Sequence, residues 1–389
     1  MPNAEPLAPF ASAARETPTG DTVLERFDTI AAARAAGWDE ELPPPRFGST
    51  SWLAAFGPLA EGGAGGPPTA AIRIRRGGVP VLQTTQQRLP VRGMRLGERI
   101  GTAWAAAALG AEAYQYGQAL YSGPALATQL PPAETARALA RLVRDGDREG
   151  TWFLKDLPAG TPAPAGWLPV PSLPEMAMAL PTSWRDFDDY LAALPSKYRR
   201  RARRARGKLV GVEARMLTAA EADRFGESLT ALYRGLIART PYAPFVVEDG
   251  YISRLKRLRP ADVALAGYFD GDRLVGFSTL LTDGDEALAH LAAVEPGYNR
   301  THQLYLNLLF DLLATAIARR CRRLNLGRTA TTIKSSLGAA PVPYASFVRH
   351  TGCLRHGILR QLVPRVFAAS DAEALVQRPF GQPVDGPVG

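Results

Sequence analysis

Two cysteines in 389 residues, Cys321 and Cys353, supply neither a disulfide framework nor a four-ligand zinc site, which points to a reducing compartment. The four histidines, His290, His302, His350 and His356, lack metal-ligand spacing, so no metal and no other cofactor is expected. No run approaches the ~20 apolar residues that a membrane helix needs. Residues 1–22 are rich in Pro and Ala, without a basic start or an apolar core, and read as a disordered tail rather than a signal peptide. The expectation is a cytoplasmic protein with no membrane insertion. There is no Gly-x-Ser-x-Gly elbow, no Walker phosphate loop and no Rossmann glycine fingerprint. Gly62-Gly63-Ala64-Gly65-Gly66 runs into Pro67-Pro68 and reads as a linker. Acid is also missing from one stretch: none occurs between Asp189 and Glu213.

What fills that stretch sets the electrostatics. From Lys197 to Lys208 eight of twelve residues are basic, and without them the formal net charge of +9 would be +1. Pro195-Ser196 punctuates the chain, and Ser196 is placed to cap a helix that contains the whole run. Tyr198, Ala202, Ala205 and Leu209 fall on one narrow apolar stripe of it, and the other faces are almost solid Lys and Arg. Like charges at i,i+3 and i,i+4 destabilise a helix by ~0.2–0.5 kcal/mol per pair, a cost that a merely solvated face avoids by including glutamates. The pattern favours a surface for phosphates or nucleic acid over a solubilising helix.

At 46% hydrophobic content the chain can build ordinary cores, and its length suggests two or three domains. Around Gly77-Gly78 the residues alternate as in a β-hairpin, and the pattern returns 194 residues later around Asp270-Gly271-Asp272. After each hairpin come a third strand, an amphipathic helix and a short apolar strand. In the first half these are Tyr114 to Tyr121, Pro132 to Arg144 and Thr151 to Leu157; in the second, Glu286 to Val294, His302 to Arg320 and Arg323 to Gly327. Twice-repeated order predicts an α/β fold of two tandem domains, each a mixed twisted sheet flanked by helices. The divisions are a tail at 1–22, domains at 23–175 and 176–368, a basic helix at 196–210 and a second tail at 369–389. The Pro/Gly-rich stretch 158–174 connects the halves. Helix signals resume at Thr182-Ser183-Trp184, with Asp186, Asp188 and Asp189 in the first turns.

A second polar constellation spans Asn325 to Gly338, at a strand-to-helix junction. Its glycine, hydroxyls, Arg328 and Lys334 can donate to an anion or a developing oxyanion, or the hydroxyls can simply cap a helix. Glu295, at a strand end before Pro296-Gly297, and His302, near the start of the next helix, are candidate bases. A lone His290 in an apolar strand reads first as a hydrogen-bonded core residue.

Taken together, the segment Leu194 to Ala205, the hairpin at Asp270-Gly271-Asp272, Gly327 to Gly338 and Phe47-Gly48-Ser49-Thr50-Ser51-Trp52 resemble the Fem-like and BioF2-like branch of the GNAT acyltransferase superfamily. The resemblance covers roughly residues 25–365, and Lys334 falls at that branch's lysine. It implies tandem GNAT-like domains and transfer of an acyl or aminoacyl group onto an amine. Several members draw the amino acid from an aminoacyl-tRNA, and others use an acyl thioester. Two departures bear on substrate. Val294 to Thr301 lacks the glycine-rich pyrophosphate loop of acetyl-CoA enzymes, and Phe56 stands where cell-wall enzymes often place a lysine for their nucleotide-linked peptide.

The expected activity is amide formation, with aminoacyl-tRNA as donor and a small amine or peptide as acceptor. Two alternatives stand beside it: an acyl-CoA-dependent N-acyltransferase and a non-catalytic RNA-binding protein. Lys334, Arg328, Glu295 and His302 are the candidate catalytic residues. Lys197, Arg200, Arg201, Arg204 and Lys208 are the candidate donor-phosphate or tRNA contacts, and Trp52 and Tyr305 the candidate acceptor contacts. Strand amides near Ala293 and Val294 are expected to face the carbonyl oxygen.

Overall fold

The computed structural model describes residues 15–16, 22–41, 47–57, 69–90, 95–96, 109–110, 112–117, 126–144, 150–240, 242–243, 246–366 and 377–380. The expected glycine linker at 62–66 lies outside them, as do the two expected tails apart from residues 15–16, 22 and 377–380.

Backbone pairing produces two mixed sheets, and the repeated element order is visible in both. In the first sheet Thr69–Arg76 and Val79–Pro90 form the hairpin, Glu112–Tyr116 adds antiparallel, and Thr151–Pro158 adds parallel after the crossover helix Pro132–Arg144. In the second, Val263–Asp270 and Arg273–Asp283 form the hairpin, Glu286–Val294 adds antiparallel, and Arg323–Asn325 adds parallel after the helix Leu304–Ala318. Both turns need left-handed backbone at glycine: Gly77 and Gly78 have φ of 56° and 77°, and Gly271 has 57°. The fold is two tandem GNAT-like α/β units, each a mixed sheet flanked by helices.

The chain then does what its linear order does not announce. Glu175–Ala179 pairs antiparallel with Arg323–Asn325 in the second sheet, while Tyr344–His350, near the end of the chain, returns to pair antiparallel with Thr151–Pro158 in the first. Part of the expected connection, Leu168–Val170, is itself an edge strand of the first sheet. Helix Thr50–Phe56 of the first half sends Trp52, Ala55 and Phe56 into the core beneath the second sheet, beside Tyr251, Leu255 and Leu288.

On the opposite face of the second sheet, Leu308, Leu309, Leu312 and Leu313 pack against Met176, Met178 and Leu280. Each buried leucine contributes about 1.5–3 kcal/mol. The basic helix, Ser196–Arg206, docks here by Ala202 and Ala205, with Tyr198 and Leu209 half-buried on the predicted stripe. Ser196 is its first residue and not its cap; Pro195 holds that position, and no side chain caps the end. The preceding helix, Phe187–Ala193, starts later than its first signals because Asp186 takes the cap, accepting from the Asp188 and Asp189 amides.

Candidate functional site

The second sheet opens where its parallel pair ends. Glu286–Val294 pairs with Arg323–Asn325 only through Glu286, Ala287 and Leu288, then runs on for six residues without that neighbour. A β-bulge marks the divergence: Thr279 faces two residues, His290 and Leu291, and its Oγ1 bonds both the N–H and the C=O of Leu291, at 2.8 and 3.0 Å. Glu295 N donates to Val275 O at 3.0 Å, which makes Phe277–Ala293 a bonded pair of the ladder. By alternation, Ala292 and Val294 turn their N–H and C=O into the gap. Of the two amides expected there, Val294 faces the gap and Ala293 does not.

Helix Leu304–Ala318 starts at the mouth of this gap. The Leu304 side chain lies 3.2 Å from where a Cβ on Gly276 would stand, and Gly276 is the partner of Val294. The segment before it, Pro296–His302, is helical, and Gln303 joins the two helices with a left-handed φ of 50°. Asn299 Oδ1 accepts from the Tyr305 amide at 3.0 Å, so one of the amides that a helix start offers to an anion is already taken.

Across the gap, Asn325 Oδ1 accepts from Gly327 N at 2.8 Å, and Gly327, with φ of 74°, turns the chain into the short helix Thr331–Ser335. Lys334, placed by its sequence in a polar strand-to-helix junction, is 3% exposed. Burial alone pulls its ammonium down to about 8, and among the described residues no carboxylate pairs with it. Ser335 Oγ donates to Thr332 O and accepts from Gln377 N, each at 3.0 Å, while the Phe380 ring lies over Gly338 and against Trp184 and Tyr190. A buried, unpaired ammonium is a costly structural feature and a ready source of positive charge.

The basic helix supplies the electrostatics. Lys197, Arg200, Arg201, Arg203, Arg204 and Lys208 are exposed, and none of them pairs with a carboxylate among the described residues. Arg206 differs: it pairs with Asp311 at 2.6 Å and lies over the Phe187 and Phe310 rings, 5.0 and 5.5 Å from their centroids. The helix thus presents a field of free cations and keeps one arginine as an anchor.

The remaining predicted residues scatter. Arg328 pairs with the buried Asp156 of the first sheet and lies 5.6 Å from the Tyr344 centroid, in an ionic cluster with Lys155, Glu175 and Arg323. There Glu175 is fully buried; burial raises its carboxyl above the ordinary range, against the pull of Arg323. Arg328 is therefore a tie between the two units. Glu295 is held by Arg273 at 2.7 Å, and His302 stacks on Tyr298 with Nδ1 2.6 Å from Thr301 Oγ1. His290 Nε2 lies 2.8 Å from Tyr251 OH, beside Phe56, as a core histidine does.

The two candidate acceptor aromatics part company. Tyr305 is half-buried at the mouth of the gap, and burial pushes its phenol up to about 12. Trp52 is fully buried, between Phe47 and Phe56 and under the Arg259 guanidinium, with no face left for a ligand. Trp52→Ala is expected to destabilise the protein by about 3–5 kcal/mol in chemical denaturation, as large-to-small core changes do.

Sequence reasoning passed over Asn307 and Asp311, which grip the end of the basic helix, and the buried carboxylates Asp156 and Glu175. The first pair carried a signal: two polar residues at i,i+4 in the otherwise apolar run Leu304 to Leu313, Tyr305 apart.

Here a parallel strand pair splays beside a bulge, under a helix N-terminus. Residues 196–335 match the family model of an acetyltransferase (GNAT) domain, which supports an enzyme of the acyltransferase class. The crystal structure of FemX is similar over 87% of this chain and 100% of its own, with 10% identity and a TM-score of 0.50. A tandem GNAT protein from the clavulanic acid biosynthesis pathway is similar over 85% and 99%, with 16% identity and a TM-score of 0.46. L-PGS from Bacillus licheniformis follows over 74% and 86%, with 11% identity and a TM-score of 0.43. No curated protein matches the sequence. Among the described residues no helix is long and apolar enough to cross a membrane.

Proposed function

We propose that this chain transfers an aminoacyl group from an aminoacyl-tRNA to a small amine or peptide, as a member of the Fem-like and BioF2-like branch. The observation that carries the reading is the basic segment: six exposed cations from Lys197 to Lys208, none paired with a carboxylate among the described residues, on and just after a helix docked beside the open strand. One acyl-CoA has few phosphates to neutralise, whereas an RNA backbone meets such a helix along its length. The Asn299 bond to the Tyr305 amide supports the same reading, because it occupies part of the backbone that would meet a pyrophosphate.

In the reaction the acceptor amine attacks the ester carbonyl, the bond to the ribose oxygen breaks, and the proton that the amine gives up ends on that oxygen, so the tRNA leaves with a free ribose hydroxyl. The ester is already activated, so the enzyme has to position the amine and stabilise the oxyanion. The Ala292 and Val294 amides face the carbonyl oxygen, and Lys334 offsets its developing charge. Arg200, Arg201 and Arg204 hold phosphates.

The test incubates the protein with candidate amines and a mixture of charged tRNAs, with and without ribonuclease, and follows amide products by mass spectrometry. Ribonuclease is expected to abolish product. Product that survives ribonuclease and requires an acyl-CoA overturns the tRNA reading and identifies the basic helix as a grip for CoA phosphates.

A further inference from the structure

Helix Leu304–Ala318 is almost entirely apolar where it is buried, yet it carries Asn307 and Asp311 one turn apart. Both reach the last turn of the basic helix. Asn307 Nδ2 donates to Ala205 O at 2.8 Å and to His302 O and Gln303 O at 3.1 and 3.3 Å. Asp311 accepts from Tyr268 OH at 2.8 Å and pairs with Arg206 at 2.6 Å. One amide therefore joins the end of the basic helix to the left-handed kink at Gln303, next to the strand end that faces the gap.

Stability alone does not account for Asn307. The residue is fully buried, and its Oδ1 has no hydrogen-bond partner among the described residues. An orphaned buried acceptor costs about 1–3 kcal/mol, which a leucine among these leucines would avoid. What an amide provides and a leucine cannot is a directional tie between two helix ends. Ala205 lies next to Arg204 and three residues before Lys208, so the tie fixes where those cations stand relative to Val294.

We infer that Asn307 is a positioning residue: with Asp311 it clips the basic helix in one orientation, so that a donor held by its phosphates presents its acyl carbon at the gap. The inference rests on the basic helix carrying those phosphates. The clip makes donor grip and transfer separable, because loosening it leaves every cation in place but not in register.

The experiment uses the full chain with Asn307→Ala and Asn307→Ser, beside wild type and the Arg200→Ala, Arg201→Ala, Arg204→Ala variant. Hydrogen exchange, tRNA affinity and single-turnover transfer at saturating charged tRNA are measured. Faster exchange of the Arg203 to Lys208 amides is expected in Asn307→Ala. Its tRNA affinity should change by less than about 3-fold while the transfer rate falls on the order of 100-fold, the usual cost of a 1 Å misplacement. Asn307→Ser, which keeps one donor, should fall between. Unchanged exchange and rate overturn the inference, and so does a rate loss matched by an equal loss of affinity. If the triple-arginine variant binds tRNA like the wild type, the phosphate reading fails by itself. The clip then stands or falls on the exchange of those amides and on the rate with the donor that does react.

Discussion

Lys334→Met is expected to slow acyl transfer by about 100- to 1000-fold, the cost of losing one preorganised donor to a developing oxyanion. The same change is expected to raise stability. Lys334 is 3% exposed and carries no ion pair among the described residues, and burial holds its ammonium near 8, below the ordinary 10.5. A lysine whose pKa is lowered by folding is a liability while it stays charged. Below about pH 8 it is protonated in both states and the penalty is complete. Between about 8 and 10.5 the unfolded chain holds a proton that the folded protein lacks, so stability rises with pH across that window. The penalty at neutral pH is about 3 kcal/mol, and methionine, of similar length, removes it without opening a cavity.

Thermal denaturation at pH 7 and at pH 10 should therefore show the variant's advantage over wild type shrinking at the higher pH. Activity should show the opposite dependence on charge, falling as pH rises through about 8 in the wild type. A profile that rises through that pH instead would make neutral Lys334 the proton acceptor. Full activity in Lys334→Met would remove the residue from the site altogether.

Replacing Arg200, Arg201 and Arg204 together with Ala is expected to weaken tRNA binding most at low salt. The slope of log affinity against log salt should flatten by about 2–3, since each phosphate contact contributes roughly 0.7–0.9. These three side chains are exposed and pair with no carboxylate among the described residues, so their loss strands no buried partner there and the fold should hold. Arg206→Ala is the contrasting variant: it breaks the Asp311 pair and uncovers Phe187 and Phe310, and its effect should register in stability. An unchanged salt slope in the triple variant would place the RNA surface elsewhere.

Local pattern alone determined a good deal. The turn glycines, the order of elements and the stripe of Tyr198, Ala202, Ala205 and Leu209 depend on residues a few positions apart, and they predicted the hairpins, the tandem units and the face by which the basic helix docks. The free cations of that helix were legible for the same reason, because no acid stands near them in sequence. Helix starts were less so: Asp186 and Pro195 took cap positions that neighbouring hydroxyl and acidic residues could equally have filled.

Only the tertiary structure decided which polar residues are buried and what they face. Lys334 looks like a loop lysine until the short helix that carries it packs beneath Leu337, Gly338 and the returning residues 377–380. Trp52 looks like a binding aromatic until the second unit's core closes over it. Arg328 and Asp156 are 172 residues apart, and Asn307 and Ala205 are 102 apart; no periodicity reports such pairs. Sheet pairing decides the first, because Glu175–Ala179 and Tyr344–His350 enter sheets that their places in the chain do not announce, and the packing of two helices in one core decides the second. Burial and long-range pairing are properties of the closed surface, and a one-dimensional pattern holds only the part of that surface that repeats along the chain.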